Sequence, residues 1–107
     1  MAKGAKFILS FAPEAVAHLD LIQSKYHGLL RRTINEQLTS TPTQETKNRK
    51  PLEQPAPFNA AWELRCGPDN RFRVFYDDDS ACRAVAVLAV GVKDRSRLFI
   101  GGKEYPS

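Results

Sequence analysis

The segment "AVAVLAVGV" (84–92) carries no charged side chain and no hydroxyl or amide. It is bounded by the polar clusters "DDDS" and "KDRS", which suit turns. A strand that is apolar on successive rather than alternate side chains must be covered on both faces. The rest of the chain therefore has to flank a central strand and supply material above and below it.

The residues just upstream supply the flanking strands. From Phe58 the hydrophobic period is two: Phe58, Ala60, Trp62 and Leu64 alternate with Asn59, Ala61, Glu63 and Arg65. "CGPDN" then turns the chain. In the next strand Phe72, Val74 and Tyr76 fall on one side, with Arg71, Arg73 and Phe75 on the other. Asp77, Asp78 and Asp79 read as a solvated turn, and "RLFIGG" downstream reads as a short final strand. One side of this meander packs on a core. The other carries Glu63, Arg65, Arg71 and Arg73.

The N-terminal half has a different period. "AKFILSF" (5–11) is predicted to be an opening strand. Pro13 and Glu14 then suit a helix start, through a preset φ and a favourable dipole contact. Ala15, Leu19, Ile22 and Tyr26 form one apolar stripe, and Gly28 punctuates it. A second helix from Leu29 buries Leu30, Ile34 and Leu38 and cannot pass Pro42. Residues 42–57, with four prolines, make a loop or extended connection pinned by Leu52. The order is β-α-α-β-β-β with a possible further strand. This predicts an α+β fold in which two N-terminal helices pack on a mainly antiparallel sheet of four or five strands. At 107 residues, 42% of them hydrophobic, a single domain over 1–107 with one core is expected.

The charge balance is mild: 16 Lys+Arg against 12 Asp+Glu, a net of +4. That fits nucleic-acid contact without requiring it. Lys93, Arg95 and Arg97 follow directly on the central strand, so they and the hairpin arginines are placed to converge on one edge. Spacing alone fits ordinary solvent-facing charges equally well. No apolar run approaches the ~20 residues of a membrane span, and the N-terminus does not read as a signal peptide, so the cytoplasm is the expected compartment. Cys66 and Cys82 have no ligand-like spacing and fall at opposite ends of the meander, which argues against zinc or a disulfide. His18 and His27 lack an evident catalytic partner, and Trp62 and Tyr76 alternate with core residues, so structural roles are expected for all four. "IGGKE" lacks the spacing of a phosphate loop.

The strand "RFRVFY" and the strand end "VLAVGVKDR", in the setting of a helical hairpin and the basic linker "KNRKPL", resemble the RelE/ParE superfamily of toxins from type II toxin–antitoxin systems. The resemblance implies a small toxin neutralised by a cognate antitoxin that covers it, with a toxin–antitoxin heterotetramer as one assembly. It also implies a ribosome-dependent endoribonuclease cutting mRNA by attack of the ribose 2′-hydroxyl on the adjacent phosphate, with no cofactor. Such chemistry needs cations around the crowded phosphorane and a group that takes the 2′ proton. Carried over by position, Arg73, Arg65 and Lys93 are the catalytic cations and Glu63 is a candidate base. Arg71, Arg95, Arg97, Lys47, Arg49 and Lys50 would hold RNA backbone. Family ribonucleases place a lysine where this chain has Glu63, and a tyrosine where it has Phe99, with Tyr105 as a substitute from the tail. These departures keep open two alternatives: a ParE-like inhibitor of DNA gyrase without ribonuclease activity, and a non-toxic interaction module.

Overall fold

The computed structural model describes residues 6–106; Met1–Ala5 and Ser107, and with them the first residue of the predicted opening strand, lie outside the described residues. The apolar run is the sheet's axis, strand β5 (Ala84–Asp94). Along one edge it pairs with β4 (Phe72–Asp79) for nearly its whole length. The other edge is shared. β1 (Ile8–Phe11) runs parallel to Ala84–Val87, and β6 (Arg97–Ile100) runs antiparallel to Gly91–Asp94. Outward from these lie β3 (Trp62–Cys66) and β2 (Arg49–Pro51) on one side, and β7 (Lys103–Tyr105) on the other, giving the order β2-β3-β4-β5-β6-β7.

Among the described residues the sheet thus has seven strands, where four or five were expected. Both extra strands come from segments with no strand pattern. β2 is three linker residues ending in Pro51, tolerable because β2 is an edge. β7 is folded back onto β6 through Gly101 and Gly102, whose φ values of +63° and +82° suit glycine. The Asp77–Asp79 run is not a turn but the end of β4, and Asp77 Oδ1 accepts a hydrogen bond from the Ala61 amide.

The helices are α1 (Pro13–Asp20) and α2 (His27–Leu38). The break between them holds a 3-10 turn over Ser24–Tyr26 and precedes Gly28, where the glycine signal placed it; Gly28 lies inside α2. Nothing lies within 4 Å of a Cβ built on Gly28, so no close packing requires glycine there. Ala15, Leu30, Ile34 and Leu38 pack with Leu64, Phe72, Val74, Tyr76, Val85, Val87 and Val90 as the main core. A register shift keeps four valines on this face. Phe75 pairs with Ala89 but Tyr76 pairs with Val87, so Leu88 is the extra residue of a bulge. Without it, Val90 and Val92 would point away from Val85 and Val87, and Lys93 would be carried to the helix side.

The bulge also leaves the Val90 amide facing the gap between β1 and β6. His18, on α1, fills the gap: its Nδ1 accepts the Val90 N–H at 3.2 Å. Burial holds the His18 pKa below the usual 6.5, with Glu14 partly opposing it. A lowered histidine pKa means the unfolded chain takes up the proton first as pH falls, so stability is lost below pH 6.5. Wild-type protein is expected to lose more stability between pH 7.5 and 5.5 than His18→Gln, read by urea unfolding at each pH. Equal losses would remove His18 from this role.

Candidate functional site

On the face away from the helices, strand pairing arranges side chains in rows. Lys50, Glu63, Phe75 and Ala89 form one row across β2, β3, β4 and β5. Arg65, Arg73, Gly91 and Ile100 form the next, and Lys93, Leu98 and Tyr105 a third. Residues directly opposite in an antiparallel pair share a face, so this grid is what makes the cations converge. The rows line a cleft of about 460 Å³, with Leu52 and Pro57 of the linker as one wall and Ser96, Arg97, Glu104 and Pro106 as another. Gly91 lets Leu98 and the Phe99 carbonyl pack close over the sheet: a Cβ there would stand 3.0 Å from Leu98 Cδ1 and from the Phe99 carbonyl oxygen.

Arg65 and Arg73 are directly opposite each other, and two like charges so placed repel. Glu63, 6% exposed, lies between them. Its Oε1 is 3.4 Å from Arg65 Nε and its Oε2 is 3.5 Å from Arg73 Nη1. Arg73 is further fixed by its Nε, which donates to the Asn70 carbonyl at 3.1 Å. These contacts orient both guanidinium forks and leave Arg73 Nη2 and the terminal nitrogens of Arg65 without hydrogen bonds among the described residues. Free donors on held guanidinium groups are the equipment for gripping phosphate oxygens. Lys50 and Lys93 add charge and make no ion pair among the described residues. Arg97 is engaged bidentately by Glu104 at 2.9 and 3.1 Å. That hydrogen bonding holds the Glu104 carboxyl below its ordinary range. The pair is solvent-exposed, so it adds little to stability.

The other cations named from the sequence fall elsewhere. Arg71 lines a separate hollow on the helix side with Phe72, Val92, Asp94 and Phe99. Arg95 sits exposed at the β5–β6 turn with φ +60°. Lys47 is exposed on the tight turn closed by the Thr46–Arg49 bridge and does not line the cleft. Arg49 departs most from expectation. It is 5% exposed, and its Nη1 donates to the carbonyls of Gln37 and Thr41 and to the Thr41 hydroxyl. A cation at the C-terminus of α2 satisfies orphan carbonyls there, which turns this residue inward and away from any RNA.

Phe99 and Tyr105 exchange the positions a ring in the cleft would need: Phe99 lies in the helix-side hollow, and Tyr105 lines the cleft. Phe75, read only as an apolar partner of the arginines, forms the floor and heads a second buried cluster with Ala60, Ala89 and Ile100, covered by Leu52 and Leu98. Both cysteines are free, and burial pushes the Cys66 thiol up to about 11, far from reactive. His27 Nε2 bonds the Ile22 carbonyl at 2.7 Å. Tyr76 donates to the Pro42 carbonyl at 2.6 Å and stacks on Trp62. Among the described residues no three His, Cys, Asp or Glu side chains gather as a metal site, and no helix is long and apolar enough to cross a membrane.

A sheet with two helices on one face has a solved counterpart. A chain of the crystal structure of the toxin–antitoxin complex RelBE2 from Mycobacterium tuberculosis superposes with a TM-score of 0.70, covering 87% of this protein and 98% of that chain at 18% identity. The fold is RelE-like. Neither a protein-family model nor a curated protein matches the sequence. At this identity the RelE-like fold is what is shared; the side chains of the cleft have to be argued on their own geometry.

Proposed function

We propose that the protein is the toxin of a toxin–antitoxin pair, acting as one domain over residues 1–107, and that it cuts ribosome-bound mRNA in the cytoplasm. The observation that carries this reading is the single cleft holding Lys50, Arg65, Arg73 and Lys93, with Glu63 ordering the two arginines. The fold likeness to a toxin–antitoxin complex supports it. In the reaction the ribose 2′-oxygen bonds to the adjacent phosphorus, the P–O5′ bond breaks, the departing 5′-oxygen takes a proton from water, and a 2′,3′-cyclic phosphate is left. Arg73 and Arg65 stabilise charge that grows on the phosphorane oxygens. Lys93 contributes a further positive charge at the open end. Glu63, ionised beside the two arginines, takes the 2′ proton. Lys50 tracks the RNA backbone as a point charge, and Arg97, its fork held by Glu104, adds to the cleft wall. An antitoxin segment of acidic or amphipathic character covers the cleft, two such pairs making a heterotetramer.

Inducing the wild-type protein in cells and mapping mRNA 5′ ends is expected to reveal new cuts in translated frames that co-expressed antitoxin suppresses. A map without new ends would overturn the ribonuclease reading. The neutralising contact of Glu63 with both arginines favours one other function, inhibition of DNA gyrase by a cleft that binds without cutting. A supercoiling assay separates the two, because a ribonuclease leaves gyrase untouched.

A further inference from the structure

Beside the cation cleft lies a second hollow of about 350 Å³, lined by Phe58, Ile100, Lys103, Glu104, Tyr105 and Pro106. It adjoins the cleft, since Glu104, Tyr105 and Pro106 line both. Its two rings are among the most exposed large apolar side chains of the protein, Phe58 at 44% and Tyr105 at 38%. Phe58 also has an unusual backbone. Its φ of +56°, followed by +55° at Asn59, is the left-handed region that bulky residues avoid. The turn over Pro57–Asn59 holds this backbone, and a bulky, half-exposed ring kept in a costly conformation points to a use for it beyond packing. An edge-on contact with His18 at 5.5 Å fixes the ring's attitude.

We propose that Phe58 and Tyr105 form a nucleobase subsite that stacks an unpaired base of the RNA whose phosphates occupy the adjoining cleft. The inference rests on the ribonuclease reading of that cleft and adds a base-binding element to it. Aromatic faces stack on any base without reading its sequence, so the subsite selects single-stranded RNA over duplex. Lys103 stands beside the rings as a donor for base carbonyl or ribose oxygens; among the described residues it makes no ion pair. The nearness of the cation cleft favours a nucleic-acid strand over an apolar peptide, which would leave the charged wall unmatched.

The test compares a short oligoribonucleotide with an abasic ribose-phosphate strand of the same length and charge, by fluorescence anisotropy with the full chain. Wild type is expected to bind the base-bearing strand about tenfold tighter or more. Phe58→Asn, which removes the ring and suits a positive φ, should shrink that preference while leaving affinity for the abasic strand unchanged, and Tyr105→Ala should shrink it too. Tyr105→Phe should retain it. Equal wild-type affinity for the two strands overturns the subsite and leaves the phosphate cleft standing, whereas failure of both strands to bind at low salt overturns both.

Discussion

Arg73→Ala is expected to slow mRNA cleavage by about 10²–10³-fold, the usual effect of removing one preorganised donor to a developing oxyanion. Arg73 is suited to that part. It sits mid-row between Arg65 and Gly91, its side chain is only 12% exposed, and Glu63 and the Asn70 carbonyl hold it from two directions. The fold should survive, because Glu63 keeps Arg65 at 3.4 Å and Arg65 loses an opposing like charge. Arg73→Lys restores charge without the planar fork and should recover only part of the rate. Glu63→Gln then separates two roles. If the carboxylate accepts the 2′ proton, the variant falls as far as Arg73→Ala; if it only aligns the guanidinium groups, an amide of the same shape retains most of the rate and binds RNA more tightly. Near wild-type cleavage by Arg73→Ala, measured on ribosome-bound mRNA, would remove this arginine from the chemistry.

How far the sequence reached follows from which signals are local. The alternation at 62–66 and 72–76 is a local signal. It correctly put Glu63, Arg65 and Arg73 on the face away from the helices, because period two is a property of the strand itself. The helical stripe of Leu30, Ile34 and Leu38 was legible for the same reason. What failed depends on partners distant in the chain. β2 and β7 are three residues each and owe their strand form to pairing with β3 and β6, so no periodicity could announce them. The bulge at Leu88 decides which face Lys93 takes, yet an unbroken apolar run conceals it. Arg49 looked like one more linker cation. Only pairing opposite Leu64 turns it toward the end of α2. Composition counts charges but cannot say which are buried. Phe99 and Tyr105 were distinguishable only once β6 and β7 were known to form a hairpin, since opposite neighbours share a face and Tyr105 lies opposite Leu98.

Phe75→Ala should destabilise the protein by about 3–5 kcal/mol, the range for truncating a fully buried aromatic ring. Phe75 is 1% exposed and is the largest member of the buried cluster on the cleft face, with Ala60, Ala89 and Ile100 around it. The small alanines leave the ring to fill the space between sheet and linker, and neither can move in to close the void. That loss is a large share of the roughly 5–15 kcal/mol by which a domain is ordinarily stable, so urea unfolding is a sensitive readout. Leu52→Ala, truncating a side chain only partly buried over the same ring, should cost less. The two variants are in one cluster, so the double variant should lose less than the summed effects. A decrease below about 1 kcal/mol for Phe75→Ala would mean that the linker does not form a true second core. The cleft depends on that core. Leu52 and Pro57 are its wall and Phe75 its floor, so loosening the cluster frees Lys50 and the linker from the arginines. Phosphate binding should therefore weaken in Phe75→Ala even at temperatures where the protein remains folded, and Phe75→Leu, which refills most of the void, should restore stability and binding together.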